Sequence, residues 1–255
     1  MLRNIGEIYK RIPPIVLGVP LVFLLPTLAE AVQHVAEYQL GMFTAGDGIS
    51  AGRESTIRLA FGVVKIIAVL VVLMWTPRYW FHGRDIRRAF LPTVRNLKFL
   101  GIVVLAQVVI SFVTDAAKAG TEAALTGWAS QPWIAYAPLA TQLLISILSL
   151  YILLWTIAGL LGDYSMAIRR SAVLMHGRFI RTIVVFAGGY APLFALHYAL
   201  NYGAMGQPPA IVAAMLVIDA LVVGVLAVAM GNTLYVIYSH LAEADAPREA
   251  TASIG

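Results

Sequence analysis

Residues 209–238 read PAIVAAMLVIDALVVGVLAVAMGNTLYVIY, thirty positions with a single charged side chain, Asp219. About 20 mostly apolar residues suffice for a helix to cross a bilayer. This run exceeds that length, and tilt accommodates the excess. Five further segments qualify, near 12–33, 57–76, 97–117, 137–161 and 181–202. Polar or Gly- and Pro-marked breaks separate them: Gly46-Asp47-Gly48, Pro77, the stretch from Gly127 to Pro132, Gly162-Asp163, and Gln207-Pro208-Pro209. The pattern predicts an all-α polytopic membrane bundle of about six transmembrane helices. It forms a single domain over 1–240, followed by a short disordered cytoplasmic tail over 241–255.

Composition supports this fold class. Of 255 residues, 60% are hydrophobic and only 12% charged, with a mean hydropathy of +0.82. A soluble domain carries about 25% charged residues. Half of that cannot coat a water-facing surface, which excludes a soluble enzyme, a disordered chain and a free nucleic-acid binder. With no cysteine in the sequence, disulfides, thiolate nucleophiles and zinc–thiolate sites are excluded as well.

The basic residues give the orientation. Arg3, Lys10, Arg11, Arg78, Arg84, Arg87, Arg88, Arg95, Lys98, Arg169, Arg170, Arg178, Arg181 and Arg248 fall on one side of a six-helix topology. Arg53, Arg58 and Lys118 fall on the other, and Lys65 lies within a helix. Cytoplasmic loops are enriched in Lys and Arg, so both termini are expected to be cytoplasmic. This asymmetry also explains the net charge of +5 without invoking nucleic acid. Trp75, Tyr79, Trp80, Trp155, Tyr235 and Tyr238 fall at the inner interface, and Trp128, Trp133, Tyr136, Tyr198 and Tyr202 at the outer one. Ala29-Glu30-Ala31 has the look of a signal-peptide cleavage site. The apolar run before it is 17 residues, long for a signal, so an uncleaved first helix is the expectation.

Two loops resemble each other. Ile86-Arg87-Arg88-Ala89 recurs as Ile168-Arg169-Arg170-Ser171, and Trp75-Thr76 as Trp155-Thr156. A parallel duplication and a shared charge rule both account for the echo. Apolar and basic residues alternate at helical spacing here, which predicts short amphipathic helices in the membrane interface. Such helices attract anionic headgroups. Arg84, Arg87, Arg88, Arg169, Arg170 and Arg178 are the expected lipid contacts. The expected partners are membrane lipids, and a membrane-protein partner or a second copy.

The stretch Ala167-Ile168-Arg169-Arg170-Ser171-Ala172-Val173-Leu174-Met175-His176-Gly177-Arg178-Phe179 carries the spacing A-x-x-x-S-x-x-L-x-x-G-x-aromatic. In this it resembles the broad YciC-like group of six-helix bacterial membrane proteins. That group includes the membrane domain found beside some glycerophosphodiester phosphodiesterases. The likeness covers residues 140–240. It implies a bacterial inner-membrane bundle and no catalytic residue, and no phosphodiesterase domain is present.

Ionisable side chains inside membrane helices are costly and are functional candidates by default. Lys65 and Asp219 lie at similar depth in the outer halves of their helices and carry opposite charge, which predicts an ion pair. Glu30, Gln107, Gln142 and His197 fall in the same half. Together these six predict a polar cluster open to the periplasmic side, either structural or a solute site. Ala220, Gly224, Ala227 and Gly231 form a small-residue stripe that permits close helix approach. There is no H-E-x-x-H or P-loop, and the five histidines at 34, 82, 176, 197 and 240 show no metal-ligand spacing, so no metal or cofactor is expected. The leading expectation is a non-catalytic membrane protein engaging lipids or a partner through its basic loops. The alternative is a solute or lipid transporter using the polar cluster.

Overall fold

A computed structural model describes residues 2–44, 55–126 and 131–243, without the side chains of 107, 131–135 and 243. The Gly46–Gly48 turn, Arg53, Arg248, the residues 127–130 and most of the expected tail lie outside the described residues. The described chain is helical, with no strand among those residues. Among the described residues five helices are long and apolar enough to cross a membrane, or six if the bent pair Leu2–Gly18 and Pro20–Gln39 counts as one span. Their flanks leave large apolar side chains bare, Phe112 at 73% and Ile180 at 70%. Such surface suits lipid and not water.

The chain divides into two compact units, 1–90 with 180–255, and 91–179. The first contains α1 (Leu2–Lys10), α2 (Ile12–Gly18), α3 (Pro20–Gln39), α4 (Thr56–Phe81), α5 (Ile86–Phe90), α10 (Phe179–Gly203) and α11 (Pro209–Glu243). The second contains α6 (Val94–Leu125), α7 (Gln131–Ser149), α8 (Leu153–Leu161) and α9 (Ile168–His176).

The helix expected over 12–33 is divided. Between Leu2–Gly18 and Pro20–Gln39 the axis turns by 93°. Pro20 supplies no N–H and clashes with a helical residue before it. Val19 accordingly leaves the helical region, at φ −140° and ψ 67°.

In the first unit α3, α4 and α11 form the core, and α11 is its axis. Lipid tails are as apolar as leucine, so close packing must hold membrane helices together. The small-residue stripe serves this purpose. Gly224 lies against Thr27 and Phe23 of α3. Gly231 lies against Thr76 of α4, whose Cβ would stand 2.5 Å from a Cβ at 231. Ile15, Val19, Val22, Val72, Ala227 and Val228 fill the adjoining space. Two polar ties reinforce it. Trp80 Nε1 donates to Asn232 Oδ1 at 2.8 Å, and Asn232 Nδ2 donates to the carbonyl of Ile8 at 3.2 Å. Arg11 stacks on Trp80 and Tyr235 and pairs with Glu7.

In the second unit, Thr93 caps α6 in a box with Asn96, and Asn96 Nδ2 reaches the carbonyl of Gly159 at 3.3 Å. The helix expected over 137–161 is a span from Tyr136 to Leu161, interrupted by a 3-10 turn at Leu150–Ile152. Ser171 of α9 fills that interruption. Its hydroxyl donates to the carbonyl of Tyr151 at 2.7 Å and accepts from the N–H of Trp155 at 3.2 Å. Gly162 ends α8 at φ 96°, a left-handed cap that favours glycine.

Candidate polar site in the membrane helices

The site is built at the end of the first unit where α3 leads to α4 and α10 leads to α11. The two connections touch, since the N–H of Gly206 donates to the carbonyl of Phe43 at 2.9 Å. Met42, Phe43, Ala204, Val212 and Leu216 pack together there. Beneath this apolar cluster the helices turn polar side chains toward one another.

α3 contributes a stripe at helical spacing: Glu30, Gln33, His34 and Glu37, all buried. α4 contributes Arg58 and Lys65, seven residues apart and so on one face. α10 contributes His197 and Asn201, one turn apart, and α11 contributes Asp219, fully buried. At 1.5 Å per residue Glu30, Lys65 and Asp219 sit roughly 13–15 Å from the helix ends, whereas Glu37, Arg58 and Asn201 lie within about 3 Å of them.

Lys65 Nζ lies 2.9 Å from Glu30 Oε2. Arg58 Nε donates to Glu37 Oε1 at 3.0 Å, and Gln33 Nε2 donates to the same oxygen at 2.7 Å. His34 bridges two carboxylates, with Nδ1 at 3.0 Å from Glu37 Oε2 and Nε2 at 2.7 Å from Asp219 Oδ2. Asp219 also meets His197 Nδ1 at 2.8 Å and accepts from Asn201 Nδ2 at 2.7 Å. Both nitrogens of His34 face acceptors, an arrangement that a doubly protonated ring satisfies. The network borders a cavity of about 200 Å³, whose wall includes Gln33, Arg58, Lys65, His197, Asn201 and Tyr202.

Four of the six residues expected to cluster are brought together: Glu30, Lys65, His197 and Asp219. The expected Lys65–Asp219 pair is corrected. Lys65 takes Glu30 as its partner, and Asp219 is ringed by two imidazoles and an amide. Gln142 belongs to the second unit, where its amide reaches Ser146 at 3.4 Å. Gln107 is in that unit too, and its side chain lies outside the described residues.

Sequence reading missed Gln33, His34, Glu37, Arg58 and Asn201. The first three lay at or beyond an assumed helix end at 33, yet Glu30, Gln33, His34 and Glu37 form a polar stripe on one face. The spacing G-x-S-x-G also occurs, at Gly48-Ile49-Ser50-Ala51-Gly52, outside the described residues. A hydrolase elbow requires a strand before the serine. Ser50 and the residues around it lie outside the described residues, so the structure does not bear on that spacing.

The basic loops do form short helices. Each copy of the repeated tetrapeptide starts one, α5 at Ile86 and α9 at Ile168, and in each the fourth residue is buried, Ala89 and Ser171. Arg84, Arg87, Arg88 and Arg169 are exposed, while Arg170 and Arg178 are half-buried. Arg78 is buried and donates to the carbonyls of Ala89 and Arg88 at 3.0 and 2.7 Å, so its role is to hold α5. His82, just past α4, is held below the ordinary imidazole range by burial first, then by the charges of Arg78 and Arg88.

No protein-family profile, curated protein or solved structure matches this chain.

Proposed function

We propose that this chain is a multi-pass membrane protein that binds a small polar solute in the α3–α4–α10–α11 cavity and passes it across the bilayer. One observation carries the reading. Two buried carboxylates, Glu30 and Glu37, two cations, Arg58 and Lys65, and the imidazole of His197 border a cavity of about 200 Å³, backed by the buried His34 and Asp219, in helices apolar enough to cross a membrane. Burying ionisable groups in such helices costs a few kcal/mol each. A scaffold of this kind can be held by glycine packing alone, as at Gly224 and Gly231, so the polar groups are better explained by a ligand. On this reading both termini lie on the cytoplasmic side of a bacterial inner membrane and the cavity opens to the periplasm. The arginine asymmetry supports the orientation, and the likeness to the YciC-like group supports the membrane.

Native mass spectrometry of protein released from mild detergent tests the reading, with Asp219→Asn alongside wild type. A stoichiometric small solute or ion on wild type, lost in the variant, is expected. An empty wild-type protein, with no solute flux in proteoliposomes, would make the network purely structural.

A second reading has its own support. Arg87, Arg88 and Arg169 are exposed on short helices, as an anionic-lipid contact requires. Neutralising Arg87, Arg88, Arg169 and Arg170 to Gln removes roughly 1 kcal/mol of surface attraction each. Unchanged partition between zwitterionic and anionic vesicles would end that reading.

A further inference from the structure

We infer that the cavity's ligand is a divalent transition-metal ion, held by Glu30, His197 and Asp219. The inference rests on the solute-binding reading above and names the class of that solute.

One carboxylate oxygen each from Glu30 and Asp219 and one ring nitrogen of His197 all lie within 4.8 Å of one another. Metal–ligand bonds to histidine nitrogen and carboxylate oxygen are about 2.0–2.2 Å. Ligand atoms around one ion stand roughly 3.4–4.2 Å apart, so His197 Nδ1 and the Asp219 carboxylate, hydrogen-bonded at 2.8 Å, would part slightly to admit it. The three ligands come from α3, α10 and α11, so one ion would tie three helices together.

Among the described residues facing the site, the carboxylates Glu30, Glu37 and Asp219 are met by Arg58, Lys65 and the ring of His34, so each acidic group has a cationic or imidazole neighbour. Lys65 engages Oε2 of Glu30 and leaves Oε1, 3.5 Å from His34 Nε2, on the side of Asp219.

Two further features fit a metal site. The ligating carboxylate of Asp219 is itself oriented by His34 and Asn201 at 2.7 Å each, as outer-shell partners do. Gln33 lies on the cavity wall, its Nε2 committed to Glu37, and its Oε1 has no hydrogen-bond partner among the described residues. That buried acceptor oxygen suits a cation or a water bound to one. A donor set of one imidazole and two carboxylates matches Zn²⁺, Mn²⁺, Fe²⁺ or Co²⁺. Thiolate-seeking Cu⁺ is a poor match, and Ca²⁺ takes six to eight oxygens.

The test is metal binding, separate from flux. The full chain, purified in mild detergent and stripped with chelator, is titrated with Zn²⁺, Mn²⁺ and Co²⁺ and assayed for bound metal after desalting. The Co²⁺ absorption spectrum reports ligation. One equivalent is expected on wild type. Loss of a ligand in Glu30→Gln or His197→Gln should weaken binding by more than about 100-fold, and Asn201→Leu by about 10- to 100-fold. His197, at the cavity edge, is the ligand whose replacement disturbs folding least, and elution as a monodisperse species checks each variant. Binding by none of the three ions, or equal binding in folded His197→Gln and Glu30→Gln, overturns the metal assignment. If mass spectrometry then finds an organic solute in the same cavity, the solute-binding reading stands and the metal falls. If wild type binds metal but proteoliposomes show no flux, the metal site stands and transport falls.

Discussion

Replacing Lys65 by Met keeps the aliphatic stem and removes the cation that faces Glu30. The ion pair is 2.9 Å long, with Glu30 almost fully buried and the Lys65 side chain 24% exposed. At an effective dielectric of about 20, unit charges at that distance attract by about 6 kcal/mol before desolvation is counted. Most of this offsets the cost of taking both groups out of water. Losing the cation leaves Glu30 with no partner but the imidazole edge, so Lys65→Met should cost about 3 kcal/mol. Glu30→Gln should cost less, about 1–2 kcal/mol, because a part-exposed lysine can turn its head toward the cavity. The double variant should recover about 2 kcal/mol of the summed cost. The same cycle between Lys65→Met and Asp219→Asn should give a coupling below about 0.5 kcal/mol, since Asp219 has no direct contact with Lys65. Reversible unfolding in mixed SDS and mild-detergent micelles, followed by tryptophan fluorescence, reads all four stabilities. No coupling between Lys65 and Glu30, or coupling of equal size with Asp219, would refute the assigned pairing.

Gly231→Val places a branched side chain against Thr76 of α4 and should cost about 1–3 kcal/mol, read in the same unfolding assay, whereas Gly62→Val, with open space around it, should not. Asn232→Leu removes the acceptor for Trp80 and the donor to the Ile8 carbonyl, and should cost about 1–3 kcal/mol and shift Trp80 emission. The neutral form of His82 is favoured in the fold, so its folded pKa lies below 6.5. Protonation then favours the unfolded chain, and stability should fall as pH drops below 6.5 and be insensitive to this group above it. His82→Gln should flatten that part of the pH profile, and an unchanged slope would show that the group does not matter.

The membrane helices were legible because apolar length is a local property of sequence. Pro20 and Pro26 mark a bend in the first helix from sequence, but the 93° turn at Val19 was not legible in size, because proline is tolerated in membrane helices and its neighbours decide how far the chain bends. Asp219 and Lys65 were found from depth and charge. Glu30 and His197 were placed in the same cluster, but which pairs with which was missed, as were His34 and Asn201, for a geometric reason: depth along a helix is readable, but the facing direction needs the packed bundle. Asp219 and Lys65 both sit at the same end of the first unit, and Glu30 of α3 faces Lys65 while the histidines face Asp219. Glu30, His197 and Asp219 were all placed in one polar cluster, but a shared ligand set for them was not read, since histidine spacing along one helix says nothing about groups drawn from three. Ser171 lay in a motif noted for resemblance alone; that it seals a 3-10 break follows only from the fold.

The chain contains no cysteine, so single cysteines report sidedness cleanly. The most direct test places one at Met205, on the cavity wall, and another at Arg87, on the exposed basic loop, and exposes intact spheroplasts to a membrane-impermeant maleimide. The account predicts that Met205→Cys is labelled from outside and protected by bound ligand, and that Arg87→Cys is labelled only after permeabilisation. Labelling of both from one side, or a Met205→Cys that never reacts in folded protein, would contradict a cavity open to the outer face of a membrane-spanning bundle.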